Sequence, residues 1–279
     1  MNYENPHIPE EINVSKEHPL KEFASLLIGA IILVIVVSVV LGVSGSWLAS
    51  KIPYKAEAKV ASLYDVSTHS NNEKYPELIT YLQTLADKIS KVQNLPEEMK
   101  IKIHYMDSDT VNAFATLGGN VFMFKGLLQK LPNENSLVTL LGHEIAHVKY
   151  RHPIRAFGGG VAVAIAMTTL GRSADSQILG DAGLLSTLKF SRDNEKQSDL
   201  EAMHTLHSIY GHLNGGAQLF KIFQDARTTM DSKEPAEFFS THPQDEKRIQ
   251  SFTTMANEKG WTETGEITPL PDFFKKSFR

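Results

Sequence analysis

The chain has 279 residues, 42% hydrophobic and 22% charged, enough to bury one large core or two small ones. A formal net charge of −4 argues against the basic face that a nucleic-acid partner would need, so none is expected. Cysteine is absent, which excludes disulfides, thiolate metal sites and Cys nucleophiles, leaving 11 histidines and the carboxylates as strong ligands.

Residues 1–22 are polar, with prolines at 6, 9 and 19, and read as a tail. Residues 23–43, FASLLIGAIILVIVVSVVLGV, carry no charge. At about 1.5 Å per residue in a helix they span roughly 30 Å, the hydrocarbon thickness of a bilayer. A cleavable signal has an apolar core of only about 7–15 residues, so a single-pass anchor in a lipid bilayer is expected. Lys16 and Lys21 before the span, against Lys51, Lys55 and Lys59 after it, leave its orientation undecided.

Residues 44–74 form a linker, with Trp47 suited to the membrane interface and a short helix near 56–64. Leu78, Tyr81, Leu82, Leu85, Ile89 and Val92 recur at three- and four-residue spacing, which predicts an amphipathic helix. Residues 101–106 alternate as a strand does, and 111–117 and 120–125 are two further strand-like runs. Gly118-Gly119 between them suits a tight turn that needs positive φ. Residues 120–125 are expected at an exposed edge where an extended peptide can add as a strand, with Asn112 near the cleft. Beyond Gly126 the pattern is helical. The expected fold is α+β: a single transmembrane helix, a small β-sheet and a mainly helical domain over 75–260, with 261–279 as a C-terminal tail.

His143-Glu144-Ile145-Ala146-His147 is an H-E-x-x-H pattern. Asn133 as N-cap starts its helix and Pro153 stops it. Leu137, Leu141, Ile145 and Val148 share one face, while His143 and His147 lie one turn apart on another, with Cβ atoms about 5–6 Å apart. Two imidazoles so placed can hold one Zn²⁺, with Glu144 beside the metal but not on it. A catalytic zinc needs a third protein ligand. His152, five residues after His147 with no glycine to break the helix, faces elsewhere and reads as a capping or surface residue. Glu195 and Asp199 lie one turn apart on a later helix. Glu195 can reach a metal there while Asp199 accepts a proton from a ligand histidine, although the pair alone reads first as a solvated acidic face.

The chain resembles the HtpX-like and CaaX-prenyl-protease-like membrane-associated zinc metallopeptidases, of the Glu-zincin group. The similarity covers roughly residues 75–255. It is carried by Asn112-Ala113-Phe114 with Gly118-Gly119-Asn120-Val121 and Gly126-Leu127-Leu128, by Leu141 to His152, by Ser191-Arg192 through Asp199, and by Ser240-Thr241-His242-Pro243. Gln197 and Ser198 depart from the family's Glu and Ala. The resemblance implies one zinc per chain on His143, His147 and Glu195, with Asp199 orienting a ligand.

It also implies a metalloendopeptidase of protein or peptide substrates, working in membrane or envelope protein quality control. Glu144 is then the general base that deprotonates water and protonates the leaving amine. His242, expected at a helix start before Pro243, stabilises the oxyanion, caps the zinc as a latent fourth ligand, or simply caps the helix. Arg192 clamps a carboxylate or the substrate. By analogy with single-span and secreted relatives, the catalytic domain is expected on the extracytoplasmic, periplasmic side. The competing reading is a membrane-tethered zinc module that binds or chaperones proteins without cutting them, and the intact Glu144 argues for the enzyme. A second apolar stretch, 156–170, is too short to span and separates two ligands of one ion. It is expected to pack on the catalytic domain as a Gly-rich helix or loop, dipping into the near leaflet or covering the cleft as a lid.

Overall fold

The computed structural model describes residues 19–62, 70–169, 190–222, 242 and 246–278. The apolar run forms helix α1 (Pro19–Ser50), which extends at both ends beyond 23–43 and takes in residues 19–22, placed in the tail by the sequence. The rest of that tail lies outside the described residues. Among them, α1 is the one helix long and apolar enough to cross a membrane, and its large side chains, Leu26, Ile32 and Val43 among them, face outward. Pro53 then starts α2 (Tyr54–Ala61), two residues earlier than expected.

Helix α3 (Pro76–Val92) opens with proline at a first-turn position whose missing N–H has no partner to lose. It buries Leu78, Leu82, Leu85, Ala86 and Ile89. At its end the buried Gln93 side chain donates to the Gly142 carbonyl (2.8 Å) and to Thr205 Oγ1 (3.0 Å), joining α3 to the two helices that carry the site.

Strands β1 (Lys102–Met106), β2 (Ala113–Ala115) and β3 (Asn120–Phe124) form a mixed sheet in the order β1-β3-β2. β2 turns back antiparallel onto β3 with Phe114 opposite Phe122, and β1 pairs with β3 in parallel. Gly118 and Gly119 make the turn at φ of +72° and +78°, a region that glycine adopts without a steric penalty. β3 is therefore central, not the edge expected for residues 120–125; β1 and β2 are the edges. Asn112, just before β2, is buried, and its Oδ1 has no hydrogen-bond partner among the described residues.

After the short α4 (Lys125–Leu128), α5 (Glu134–Lys149) runs through the middle of the domain. Asn133 caps it, Oδ1 accepting from the Ser136 N–H at 2.8 Å. The sequence suggests one apolar face, yet α5 is buried all round from Asn135 to Val148. Its first turn is held by Glu134, which accepts from Tyr81 Oη (2.6 Å) and Tyr210 Oη (2.7 Å). Pro153 does not stop α5, which ends at Lys149; it lies in the first turn of α6 (His152–Thr169). Between the helices Arg151 takes φ of +60°, and its guanidinium grips the buried Glu57 of α2 at 2.7 Å and the Ile52 carbonyl at 2.8 Å. Glu57 also accepts from the Gly118 N–H (3.0 Å), so one buried carboxylate fixes both turns.

Helix α6 packs chiefly along α1 rather than on the catalytic domain. Helices α7 (Arg192–Tyr210), α8 (Glu246–Lys259) and α9 (Asp272–Lys276) complete the domain. The segment placed in a tail, 261–279, is integrated into the domain through residue 278. Leu213 and Glu134 donate to the carbonyls of Thr262 and Thr268, both at 2.9 Å, and Phe274 is buried in the core. That one side chain contributes about 1.5–3 kcal/mol by burial.

Candidate metal centre

Helices α5 and α7 cross at Gly142, where an added Cβ would already touch the Ala202 Cα at 3.4 Å. This close approach sets His143 and His147 of α5 against Glu195 and Asp199 of α7. Ser191 starts α7, its Oγ accepting from the Asn194 N–H (3.2 Å), so Glu195 falls at the end of the first turn and Asp199 one turn on.

His143, His147, Glu195 and His242 are all buried and present ligand atoms within 4.8 Å of one another. His143 Nε2 lies 3.1 Å from His147 Nε2, 3.4 Å from His242 Nδ1 and 3.5 Å from Glu195 Oε2. Glu195 Oε1 lies 3.4 Å from His147 Nε2 and 3.0 Å from His242 Nδ1. Ligands about 2.0–2.1 Å from a tetrahedral zinc stand roughly 3.3–3.4 Å from one another, and these spacings scatter around that edge. Glu144 is fully buried beside the four; neither oxygen accepts a hydrogen bond among the described residues, and Oε1 is 3.7 Å from His242 Nε2.

Each ring of α5 is oriented by a partner behind it. His143 Nδ1–H donates to Asp199 Oδ1 at 2.9 Å, leaving Nε2 to face the centre. In the metal-free protein burial lowers the His143 pKa, but the bonds to Asp199 and Glu195 outweigh it and push it up to about 10. A metal ion would displace that proton. Asp199 is itself gripped by Arg248 of α8, Nε to Oδ2 at 2.6 Å and Nη2 to Oδ1 at 2.7 Å, while Nη1 lies 2.9 Å from Glu195 Oε2. Burial would raise the Asp199 pKa, yet Arg248 and His143 hold it below the usual carboxylate range.

His147 is oriented by His152, the residue the sequence sends to the surface. His152 is fully buried, with Nδ1 3.0 Å from His147 Nδ1 and Nε2 3.1 Å from Gln197 Oε1. An amide oxygen only accepts, so His152 carries its proton on Nε2 and offers the Nδ1 lone pair to His147 Nδ1–H. The His147 Nε2 lone pair then faces the centre. Burial pushes His152 down to about 4, so it is neutral, and lowers His147 as well. Phe190 stacks on the His147 ring with centroids 4.0 Å apart.

Among the described residues, three carboxylates, those of Glu144, Glu195 and Asp199, thus meet one permanent cation, Arg248, and a divalent ion would make up the charge difference. Together with two imidazoles aimed by their partners, this donor set fits zinc. The sequence reading placed Glu144, His143, His147, Glu195, Asp199 and His242 together, and the structure brings them together. Arg192 is not among them: it is exposed in the first turn of α7, and the carboxylate clamp is Arg248. The expected helix start at Pro243 lies outside the described residues. The signal for Arg248 was weak but present, because a buried Asp199 requires a cation.

The chain is similar to the β-barrel assembly-enhancing protease of Escherichia coli (strain K12), 28% identical over 202 residues covering 66% of this chain and 40% of that protein. It is also similar to the mitochondrial metalloendopeptidase OMA1 of Schizosaccharomyces pombe, 29% identical over 183 residues, with 64% of this chain and 53% of that protein covered. The Saccharomyces cerevisiae OMA1 is 26% identical over 226 residues, covering 75% and 63%. The matched region spans about half the length of these relatives. Residues 76–256, well over half of the chain and including all four candidate ligands, match peptidase family M48. The chain belongs to peptidase family M48, as its motifs implied.

Proposed function

We propose that this chain is a membrane-anchored, zinc-dependent endopeptidase with one zinc on His143, His147 and Glu195 and with Glu144 as general base. The observation that carries the proposal is the near-tetrahedral spacing of four buried ligand atoms beside a buried carboxylate that accepts no described hydrogen bond. When bound, zinc supplies Lewis-acid activation of water. Glu144 accepts the water's proton and returns it to the leaving amine, which its desolvated position beside the ligands favours. His242 Nδ1 is the fourth atom of the cluster, so with an ion bound His242 would serve as a fourth ligand in a resting state, and its ring would have to move aside for water to enter. This geometry supports the latent-ligand role of His242 over that of oxyanion donor.

Helix α1 anchors the enzyme in a bilayer, with the catalytic domain on the extracytoplasmic side. A role in membrane or envelope protein quality control is in keeping with a relative named for β-barrel assembly. The test is metal content and hydrolysis of an unfolded protein by the full chain. Glu144→Gln should keep zinc and lose several orders of magnitude in rate, and Glu195→Ala should lose the zinc. Full cleavage by Glu144→Gln would sink the mechanism, and wild-type zinc in Glu195→Ala would place the third ligand elsewhere.

A further inference from the structure

Helices α1 and α6 meet backbone to backbone. A Cβ added at Gly45 would lie 2.5 Å from the Gly158 carbonyl oxygen and 2.6 Å from the Ala162 Cβ, and one at Gly159 would lie 2.6 Å from Ser46 Oγ. Ala49 also faces Gly158, so partners fall along α1 as they rise along α6, and the helices run antiparallel. Small residues at such a crossing characterise helix pairs in a bilayer, where close backbone packing replaces the hydrophobic drive.

The two helices also change character at the same height. On α1 the uncharged run that begins at Phe23 ends at Ser50, with Trp47 near its end and Lys51 next, whose ammonium sits 5.5 Å from the Trp47 ring centre. On α6 the last charge is the exposed Arg155, three residues before Gly158, and none follows until Arg172. A basic residue at one level on both helices, with Trp47 beside it on α1, is the composition of a membrane–water interface. From Gly158, opposite Gly45, the helix continues eleven residues to Thr169. That is roughly 16 Å along α1, about half of a hydrocarbon core roughly 30 Å thick.

We infer that α6 is a half-membrane helix, inserted beside the C-terminal half of α1 and covered on its outer side by lipid. The inference rests on the reading of α1 as a bilayer anchor. Its consequence reaches the metal centre, because α6 begins at His152, whose ring orients His147. His152 precedes Gly158 by six residues, so the centre sits about 9 Å along the helix from the membrane surface. The helix that positions a ligand is then seated in the bilayer.

The chain has no native cysteine, so single-cysteine variants of the full-length protein report cleanly. Val36→Cys on α1, Gly160→Cys and Ala164→Cys on α6, and Glu258→Cys on exposed α8 would each carry a small fluorophore, in vesicles containing lipids spin-labelled along their acyl chains. An unchanged melting temperature would qualify each variant, and Gly160, where an added Cβ meets nothing within 4 Å, serves if Ala164 does not tolerate the label. Lipid-borne quenching at positions 36, 160 and 164, several-fold above that at 258, is the expected result. Quenching at 36 without quenching at 160 or 164 would overturn the half-membrane helix and leave the anchor standing. Loss of quenching at 36 would overturn the anchor itself.

Discussion

Gln197 offers a sharp test of how the centre is organised, because it is exposed and yet sits at the head of a proton chain that ends on His147. Its Oε1 accepts at 3.1 Å from His152 Nε2, and His152 Nδ1 accepts at 3.0 Å from His147. Lysine at 197 is an obligate donor. Paired with His152 Nε2 it would move that ring's proton to Nδ1, opposing the N–H of His147. The clash is relieved by shifting the His147 proton to Nε2, the atom that must bind metal. A hydrogen bond lost or left unmade at a buried ring costs about 1–3 kcal/mol, so Gln197→Lys should weaken zinc binding by about 5–150-fold. Gln197→Glu keeps the acceptor and should bind zinc as tightly as wild type or more tightly. Gln197→Leu, where water can serve His152 from the exposed side, should fall between. Dissociation constants from competition with a fluorescent zinc chelator, with the metal-free melting temperature as a check on folding, measure the series. Equal constants for the Lys and Glu variants would show that the polarity set at 197 does not reach the ligand, and the orienting role of His152 would be refuted.

Arg248→Met leaves Asp199 and Glu195 without their guanidinium and should destabilise the metal-free protein by about 3–5 kcal/mol in denaturant unfolding. Arg248→Lys should recover only part, since an ammonium cannot bridge both oxygens of Asp199 and also reach Glu195; an unshifted midpoint for the Met variant would contradict the clamp. His242→Ala should raise proteolysis while loosening zinc, whereas a loss of roughly 10²–10³-fold would assign it to the oxyanion instead. In the metal-free protein His143 holds its proton up to about pH 10, and zinc must displace it. Zinc affinity should therefore rise by about tenfold per unit from pH 7 to 9, and a flat profile would show that no proton is released.

What could be read along the chain was what local physics dictates. Residues 23–43 announce a helix long and apolar enough to span a membrane by length and lack of charge alone, and Asn133 announces the α5 start by satisfying a nearby N–H. Gly118-Gly119 announces a turn through its φ, and His143 and His147 share a face because a helix repeats every 3.6 residues. Glu195 and Asp199 were candidates by spacing, and the motif resemblance tied them and His242 to the two histidines, a grouping no spacing in the sequence could supply. The remainder was decided by tertiary structure. β3 became the central strand because β1, 18 residues upstream in register, pairs with it in parallel while β2 pairs with its other side. Arg248, not Arg192, took the clamp because α8 packs on α7, whereas Arg192 sits in a first turn open to water. Gln197 and His152, 45 residues apart, meet only once α6 and α7 are placed, and residues 261–278 join the core because the Thr268 carbonyl accepts from the Glu134 N–H in the first turn of α5 and Phe274 is buried. Sequence fixes which hydrogen bonds and apolar faces a segment must satisfy nearby. Which distant segment satisfies the rest depends on how the elements pack, because burial is cooperative and no single segment encodes its partner.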